Sequence, residues 1–370
     1  MGKPKIAILG SRGIPASYGG FETFAEELSL RLVERGVDVT VYCESNNGSG
    51  PRTYQRVELR HIKLHRLGPL TRILFDLKCL WHARKSYHII YMLGYSSSLF
   101  CFIPRVFGTT VWINMDGIEW SRSKWNKVVK IWLAMMESIA LFTPSRIICD
   151  AESIKSFLFS RHSIIPACSL IPYGALIVEG PGESSFLEDL HLLPRSYYLI
   201  VCRLEPENHI LDIIEGFLMS KTRRSLVIVG SSQTKTAYVE KLLGRTTDKR
   251  IRFIGTIFEK GKLKTLRVHA FAYFHGHSVG GTNPSLLEAM GCGNIIIAHD
   301  NVFNKEVAGQ VAFLFRNSND ILRIIDKIEM MNDEEIKIKS LKAKEIIRDK
   351  YDWDKITEAY LYIINWPLKS

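Results

Sequence analysis

Lys5-Ile-Ala-Ile-Leu-Gly10-Ser-Arg-Gly-Ile-Pro-Ala-Ser-Tyr18-Gly-Gly-Phe-Glu22, near the start of the 370-residue chain, decides how the rest is read. A short apolar run stops at Gly10, a loop of small residues follows, and a helical pattern begins near Phe21. In that pattern Phe21, Phe24, Ala25, Leu28 and Leu32 share one face, whereas Glu22, Glu26, Arg31 and Arg35 lie largely outside it. Gly36 ends the helix, and Val37–Cys43 is again β-rich. Strand, crossover helix and strand open a parallel α/β sheet.

The alternation continues outward from this unit. Strands are expected at His88–Leu93, Thr110–Asn114, Arg146–Cys149 and Ser169–Pro172, with an apolar helix around Lys124–Phe142. Pro172-Tyr173-Gly174 and the stretch Glu179–Ser185 form the best linker. The pattern then restarts with Tyr197–Cys202, a helix from about Asn208, Leu226–Gly230, a helix from Thr236, Arg252–Gly255, a helix from Gly261 and Ala272–His275. A helix opening at Asn283, the strands Asn294–Ala298 and Val311–Phe315, and three closing helices to about Asn365 complete it. The expected fold class is α/β with two doubly wound domains facing a central cleft. Residues 1–174 form the first, 175–350 the second, and 351–370 a terminal helix packing back on the first.

The composition sets limits. Hydrophobic residues make up 46% and charged residues 24%, enough for two ordinary cores without a disordered tail. Seven scattered cysteines form no C-x-x-C pair, so reduced structural thiols are expected. No window offers the roughly 18 to 20 apolar residues of a spanning helix. Ser86–Pro104 reads instead as a buried strand, a turn and a short apolar helix. The apolar run at the N-terminus is too short for a signal peptide, and a cytoplasmic protein is expected. The net charge of +11 is uneven, with 22 Lys/Arg against 14 Asp/Glu in residues 1–180 and 27 against 24 in the remainder. A basic half suits nucleic acid, anionic lipid or an anionic substrate, and charge alone does not choose.

Motifs at strand-to-helix turns carry the choice, because open parallel sheets bind ligands beyond the carboxyl ends of their strands. The loop Gly10–Glu22 lets backbone N–H groups approach an anion at a helix start, or makes a tight structural turn; its spacing is not G-x-G-x-x-G. In Ser278-Val-Gly-Gly-Thr-Asn-Pro-Ser-Leu-Leu-Glu288-Ala-Met-Gly-Cys-Gly293, Asn283 suits an N-cap and Pro284 the first helical position. Gly280, Gly281 and Thr282 then precede a helix mouth, with Glu288 one turn beyond. In Cys202-Arg203-Leu-Glu-Pro-Glu-Asn208, Arg203 can grip a diphosphate through charge-assisted bonds or enter a structural ion pair. In Trp112-Ile-Asn-Met-Asp116-Gly-Ile-Glu119-Trp120, two carboxylates follow a strand end, and turn capping competes for Asp116. Asp352-Trp-Asp354 has the form of a metal-binding Asp-x-Asp but opens the last helix, where aspartates cap.

Together, the loops at 18–22 and 278–290 and Asp116–Trp120 resemble retaining glycosyltransferases of family 4. More narrowly, they are similar to bacterial polysaccharide rhamnosyltransferases. The likeness includes Ile171-Pro-Tyr-Gly-Ala and Tyr351-Asp-Trp. It implies a GT-B fold of two Rossmann-like domains and transfer of a sugar, L-rhamnose from dTDP-rhamnose, with retention onto a lipid-linked saccharide in surface polysaccharide synthesis. A UDP-hexose or UDP-N-acetylhexosamine is the alternative donor. A GT-B epimerase and a non-catalytic nucleotide- or nucleic-acid-binding module are further alternatives. The catalytic residues implied are Arg203, Asp116 and Glu288. Donor contacts fall on Gly19, Gly20, Arg203, Asn208, Gly280, Gly281, Thr282, Asn283 and Glu288, and the acceptor side on Arg12, Tyr18, Glu22, Glu119 and Trp120. The wider family's glutamate pair keeps Glu288 but has Gly280 for its first member, and its lysine falls on Asn208.

The implied chemistry is stabilisation of charge on the leaving diphosphate by protein groups, with no metal and no cofactor beyond the nucleotide-sugar co-substrate. The basic first half fits an anionic membrane surface holding the acceptor, with no role for nucleic acid. Lys124, Trp125, Lys127, Lys130 and Trp132 place cations and indoles on an otherwise apolar helix, the composition of an interfacial segment. Peripheral association with the inner face of the cytoplasmic membrane is therefore expected.

Overall fold

The computed structural model describes residues 3–17, 19–65, 67–68, 70–180, 184–231, 237–244 and 247–365. The chain divides into two compact units. One comprises Met1–Ser121, Trp125–Tyr173 and Trp353–Ser370, and the other Arg122–Lys124 and Gly174–Asp352.

Unit 1 runs β1 (Lys5–Leu9), α1 (Gly20–Glu34), β2 (Asp38–Ser45), β3 (Thr53–Tyr54), β4 (Val57–Lys63), α2 (Leu70–Ala83), β5 (Ile89–Leu93), α3 (Phe102–Val106), β6 (Thr110–Met115), α4 (Lys127–Ile139), β7 (Arg146–Cys149), α5 (Glu152–Arg161) and β8 (Ala167–Leu170). The sheet order is β3-β4-β2-β1-β5-β6-β7-β8, parallel except for the β3–β4 pair. Its direction of winding reverses between β1 and β5. Right-handed crossovers place α2, α3 and α4, which all advance toward β8, on one sheet face and α1 on the other. Strands β5 and β6 are buried along their whole length, as both-face coverage demands.

Three expected features change. The strand expected at Ser169–Pro172 lies two residues earlier as β8, because Pro172 has no N–H to donate to the ladder. Glu22 and Glu26, expected largely outside the apolar face of α1, are buried. Their carboxylates accept from the N–H groups of Arg12 at 2.8 Å and Ala16 at 2.5 Å, and so fasten the loop after β1 to its helix. The helix expected from Lys124 begins at Lys127, where the Asn126 side chain accepts from the N–H of Val129.

Unit 2 runs α6 (Ser185–Asp189), β9 (Tyr197–Val201), α7 (Ile210–Met219), β10 (Ser225–Val229), α8 (Ala237–Gly244), β11 (Ile251–Gly255), α9 (Lys260–His269), β12 (Ala272–His275), α10 (Pro284–Gly291), β13 (Ile295–His299), α11 (Val302–Ala308), β14 (Phe313–Phe315), α12 (Ser318–Glu329) and α13 (Asp333–Lys350). All its strands are parallel, in the order β11-β10-β9-β12-β13-β14, so winding reverses between β9 and β12. Thr236, expected to begin a helix, lies outside the described residues.

The last helix, α14 (Trp353–Asn365), belongs to unit 1. Phe24 of α1 packs among Tyr91, Tyr173, Trp353 and Tyr360, with centroids 4.8–6.1 Å apart. The Tyr91 and Tyr360 hydroxyls hydrogen-bond at 2.9 Å, and the Asn114 amide donates to Tyr91. Such pairs add about 0.5–1.5 kcal/mol each beyond their buried area. Among the described residues no helix is long and apolar enough to cross a membrane.

Candidate active site

In unit 2 the point where winding reverses gathers the ends of β9 and β12 and the start of α10. Two glycines allow the backbones to meet there. A Cβ at Gly276 would stand 1.9 Å from the carbonyl oxygen of Asn208, and one at Gly230 1.8 Å from that of Cys202. The loop after β9 is therefore clamped on both sides. Asn208 is buried and its side-chain amide donates to the Arg203 carbonyl at 2.6 Å, so its role in this structure is to close that loop. The Arg203 guanidinium is 41% exposed and lies 3.3 Å from Glu205, which also meets Lys124 at 3.5 Å.

Helix α10 starts where its sequence says it should. The Asn283 side chain accepts from the N–H of Ser285 at 3.0 Å and Pro284 takes the first turn. Gly280 has φ +141, open to glycine alone without strain, and nothing lies within 4 Å of where its Cβ would be. Thr282 is buried.

Glu288 is not a solitary carboxylate at the helix mouth. Its Oε2 lies 2.6 Å from Nη2 of Arg267, whose side chain is 5% exposed against 35% for Glu288. Burial works against the Arg267 charge, and Glu288, with Tyr273 and Cys292, outweighs it, so the arginine is held more firmly cationic than usual. Arg267 also donates to Ser285 Oγ, which is 2.6 Å from the Tyr273 hydroxyl; both hydroxyls donate to the Val201 carbonyl at the end of β9. This polar column ties α9, α10, β9 and β12 together directly below the Gly280–Asn283 loop.

Sequence reasoning passed over the histidines on that column. His275 ends β12, is 1% exposed, and neither ring nitrogen has a partner among the described residues. Burial pushes its pKa down to about 3. His277 stacks on it at 4.3 Å and is held neutral by burial, then by His275, Arg203 and Arg122. The strand-end position of His275-Gly-His277 was the signal available in the sequence. Asn301 and Asn304 fix the His277 carbonyl, each donating at 2.9 Å. At the switch point, then, a part-exposed guanidinium, two neutral imidazoles and an open glycine loop share one sheet edge.

In unit 1 the corresponding reversal lies between β1 and β5. Gly10, at φ +91, has no room for a Cβ, which would fall 2.3 Å from the Leu93 carbonyl oxygen. Gly19 caps α1 and Gly20 is its first residue, so N–H groups gather there. Tyr18 lies outside the described residues. Asp116 directly follows β6 and its charge acts on the hydroxyls of Tyr173, Tyr91 and Tyr95, helping burial to push their pKa up. Asp150, buried at the end of β7, acts on Tyr173 and Tyr91 as well and is a second carboxylate that sequence reasoning missed.

Glu119 and Trp120 are engaged within the unit. The Trp125 indole donates to Glu119 at 3.1 Å, and Trp120 donates to the buried Glu137 at 2.8 Å, with Arg161 over its ring. Of the residues expected at an interface, Lys124 and Trp125 precede α4, whereas Trp132 lies on it. Both indole nitrogens are satisfied inside unit 1, Trp132 by the Ser96 carbonyl, and Lys124 is tied to Glu205 in unit 2. Asp354 pairs with Arg35 at 2.9 Å, and the backbone at Asp352 bridges to Ala175. Among the described residues no group of three or more His, Cys, Asp or Glu is placed to hold a metal ion.

Comparison with known proteins agrees with this layout. Residues 190–349 match the family model Glycosyl transferases group 1, and residues 3–176 match Domain of unknown function (DUF1972). No curated protein matches the chain. Among solved structures, the chain is similar to sucrose-phosphate synthase from Thermosynechococcus elongatus, with a TM-score of 0.80, 16% identity and 98% of each chain covered. HepE of Anabaena, solved with UDP-glucose, has a TM-score of 0.78 at 16% identity over 97% of this chain and 99% of its own. The α,α-trehalose 6-phosphate synthase from Burkholderia multivorans has 0.74 at 11%, over 98% and 96%. The chain thus has the GT-B fold and carries a group 1 glycosyltransferase domain at residues 190–349 behind a DUF1972 domain, the parts of an enzyme that moves a sugar from a nucleotide-sugar donor.

Proposed function

We propose that the donor is a UDP-hexose and the acceptor a lipid-linked saccharide, transferred in bacterial surface polysaccharide synthesis at the inner face of the cytoplasmic membrane. The observation that carries the donor side is the part-exposed Arg203 guanidinium beside the open Gly280-Gly281 turn and the α10 N-terminus, at the switch point of unit 2. As the glycosidic bond to the diphosphate breaks, negative charge grows on the leaving oxygen. Arg203 exchanges Glu205 for that oxygen, and the N–H groups of Gly280, Gly281 and Thr282 point to the same charge. Glu288, anchored by Arg267, offers its other oxygen to sugar hydroxyls. Asp116 serves the acceptor side. UDP as carrier is supported by the likeness to HepE, which was solved with UDP-glucose.

A second donor, dTDP-rhamnose, is favoured by the likeness to polysaccharide rhamnosyltransferases together with Gly280 and Asn208, where this chain departs from the wider family. Incubation with UDP-glucose, UDP-N-acetylglucosamine and dTDP-rhamnose, with and without a lipid-linked acceptor, separates them. Acceptor-dependent transfer from a UDP-sugar is expected. Transfer from dTDP-rhamnose alone replaces the donor, and release of free sugar without acceptor overturns the acceptor assignment.

A further inference from the structure

We infer that the outer face of the α2–α3–α4 layer in unit 1 is a docking surface for an anionic lipid bilayer. Three observations meet there. The first is apolar exposure: Trp81 of α2 is 54% exposed, Phe102 and Val106 of α3 48% and 75%, and Val128, Ile131 and Met135 of α4 75%, 70% and 46%. The pair on α3 and the triple on α4 follow helical spacing, so each of these two helices turns one apolar stripe outward, and α2 adds Trp81.

The second is continuity. The turn Ser98–Cys101 packs against α2, α3 and α4, and α3 packs on α2. The Ser98 hydroxyl donates to the Met136 carbonyl at 2.6 Å. Right-handed crossovers set these helices on the same sheet face, so their exposed apolar residues belong to one layer. An apolar surface of this breadth on a water-exposed domain marks a site of association rather than chance exposure.

The third is charge. Between Glu58 and Asp116 the only acidic residue is Asp76, which is 1% exposed; on α4 the only one is Glu137, also 1% exposed. The charges that these three helices turn outward are cations: Lys78, Arg105 and Lys127 are exposed and Lys130 half-buried, with Arg84 half-buried and Lys85 exposed just after α2. Arg84 lies 4.2 Å over the Trp81 ring and Lys85 4.6 Å over Phe107. Apolar stripes carrying cations and no exposed acid suit acyl chains below anionic headgroups. A second copy of the same surface would bring like charges together, which opposes self-association.

The surface deepens the proposed lipid-linked acceptor but is tested apart from it. Purified full-length protein is sedimented with vesicles of phosphatidylcholine alone or with added phosphatidylglycerol. Binding to the anionic vesicles only, weakened by salt, is expected. The double variants V128D/I131D and K127E/K130E should each lower partitioning by about tenfold or more, with circular dichroism and UDP affinity unchanged. Their rate on a short-tailed, water-soluble acceptor should also be unchanged, so failure of transfer with that acceptor counts against the function and not the surface. Wild type that ignores anionic vesicles, variants that bind as wild type does, or a wild-type dimer that either variant dissociates would overturn the membrane assignment.

Discussion

Glu288 reaches back along α10 to Arg267 on α9, 2.6 Å from a guanidinium that is 5% exposed. Replacing Glu288 with Ala removes the partner of a buried cation, so the variant should lose about 3–5 kcal/mol of stability as well as UDP affinity. Glu288→Gln keeps a hydrogen-bond acceptor for Arg267 and should recover much of the stability. Chemical denaturation and calorimetry with UDP, run on both variants, separate the two effects. Full stability in Glu288→Ala would remove the structural role, and unchanged UDP affinity in both would remove the donor role.

Arg203→Ala should slow transfer by roughly 2–4 kcal/mol of transition-state stabilisation while leaving the fold intact, because the side chain is part-exposed and its partner Glu205 keeps Lys124. Activity within a factor of about three of wild type, well under 1 kcal/mol, excludes Arg203 from the diphosphate site.

Asp116→Asn tests the acceptor side. A lower rate with acceptor at unchanged UDP affinity is expected. Full rate at normal stability would leave Asp116 as a turn residue beside Tyr173.

The histidine column sets a pH dependence of stability. His275 has a folded pKa pushed down to about 3 against 6.5 for the unfolded chain, and His277 is lowered in the same direction. As pH falls below 6.5 the unfolded chain takes up protons that the folded chain refuses. The contribution is complete above 6.5 and shrinks toward the folded pKa, by about 1.4 kcal/mol per pH unit for each such imidazole. Urea unfolding between pH 7.5 and 5 should show this slope, and His275→Gln should flatten it. An equal slope in that variant would move the effect to other groups.

Saturating chelator should leave the transfer rate unchanged, since Arg203 and the α10 N–H groups meet the diphosphate charge. A large loss restored by magnesium or manganese would reassign that task to carboxylates.

Local chemistry made much of the fold legible. The start of α10 follows from Asn283 and Pro284, and the strand ends carrying Arg203 and Asp116 follow from apolar runs that stop at charged residues. Residues 44–85 carry no such local signal, and the β3–β4 hairpin shows why. Its turn, Gln55-Arg56, has φ +45 and +71 at both positions without a glycine or asparagine, so the usual hairpin signature is missing. Helix α2 likewise carries a buried Asp76, bonded by Ser97, which blurs its periodicity.

By itself the sequence determined the alternation of strands and helices outside residues 44–85, the two rounds of winding and the placing of glycine loops at helix starts. These depend on residues within a few positions of one another, where periodicity, capping and backbone freedom act. Only the tertiary structure decided which charges are used up internally. Glu22 and Glu26 fasten a loop, Glu288 meets Arg267, Trp125 meets Glu119, and His275 stacks on His277 with no hydrogen-bond partner among the described residues. It also decided that Trp81 of α2 and the apolar stripes of α3 and α4 share one exposed layer. Those outcomes depend on strand order and on contacts across tens of residues, which burial and packing settle and local pattern does not encode.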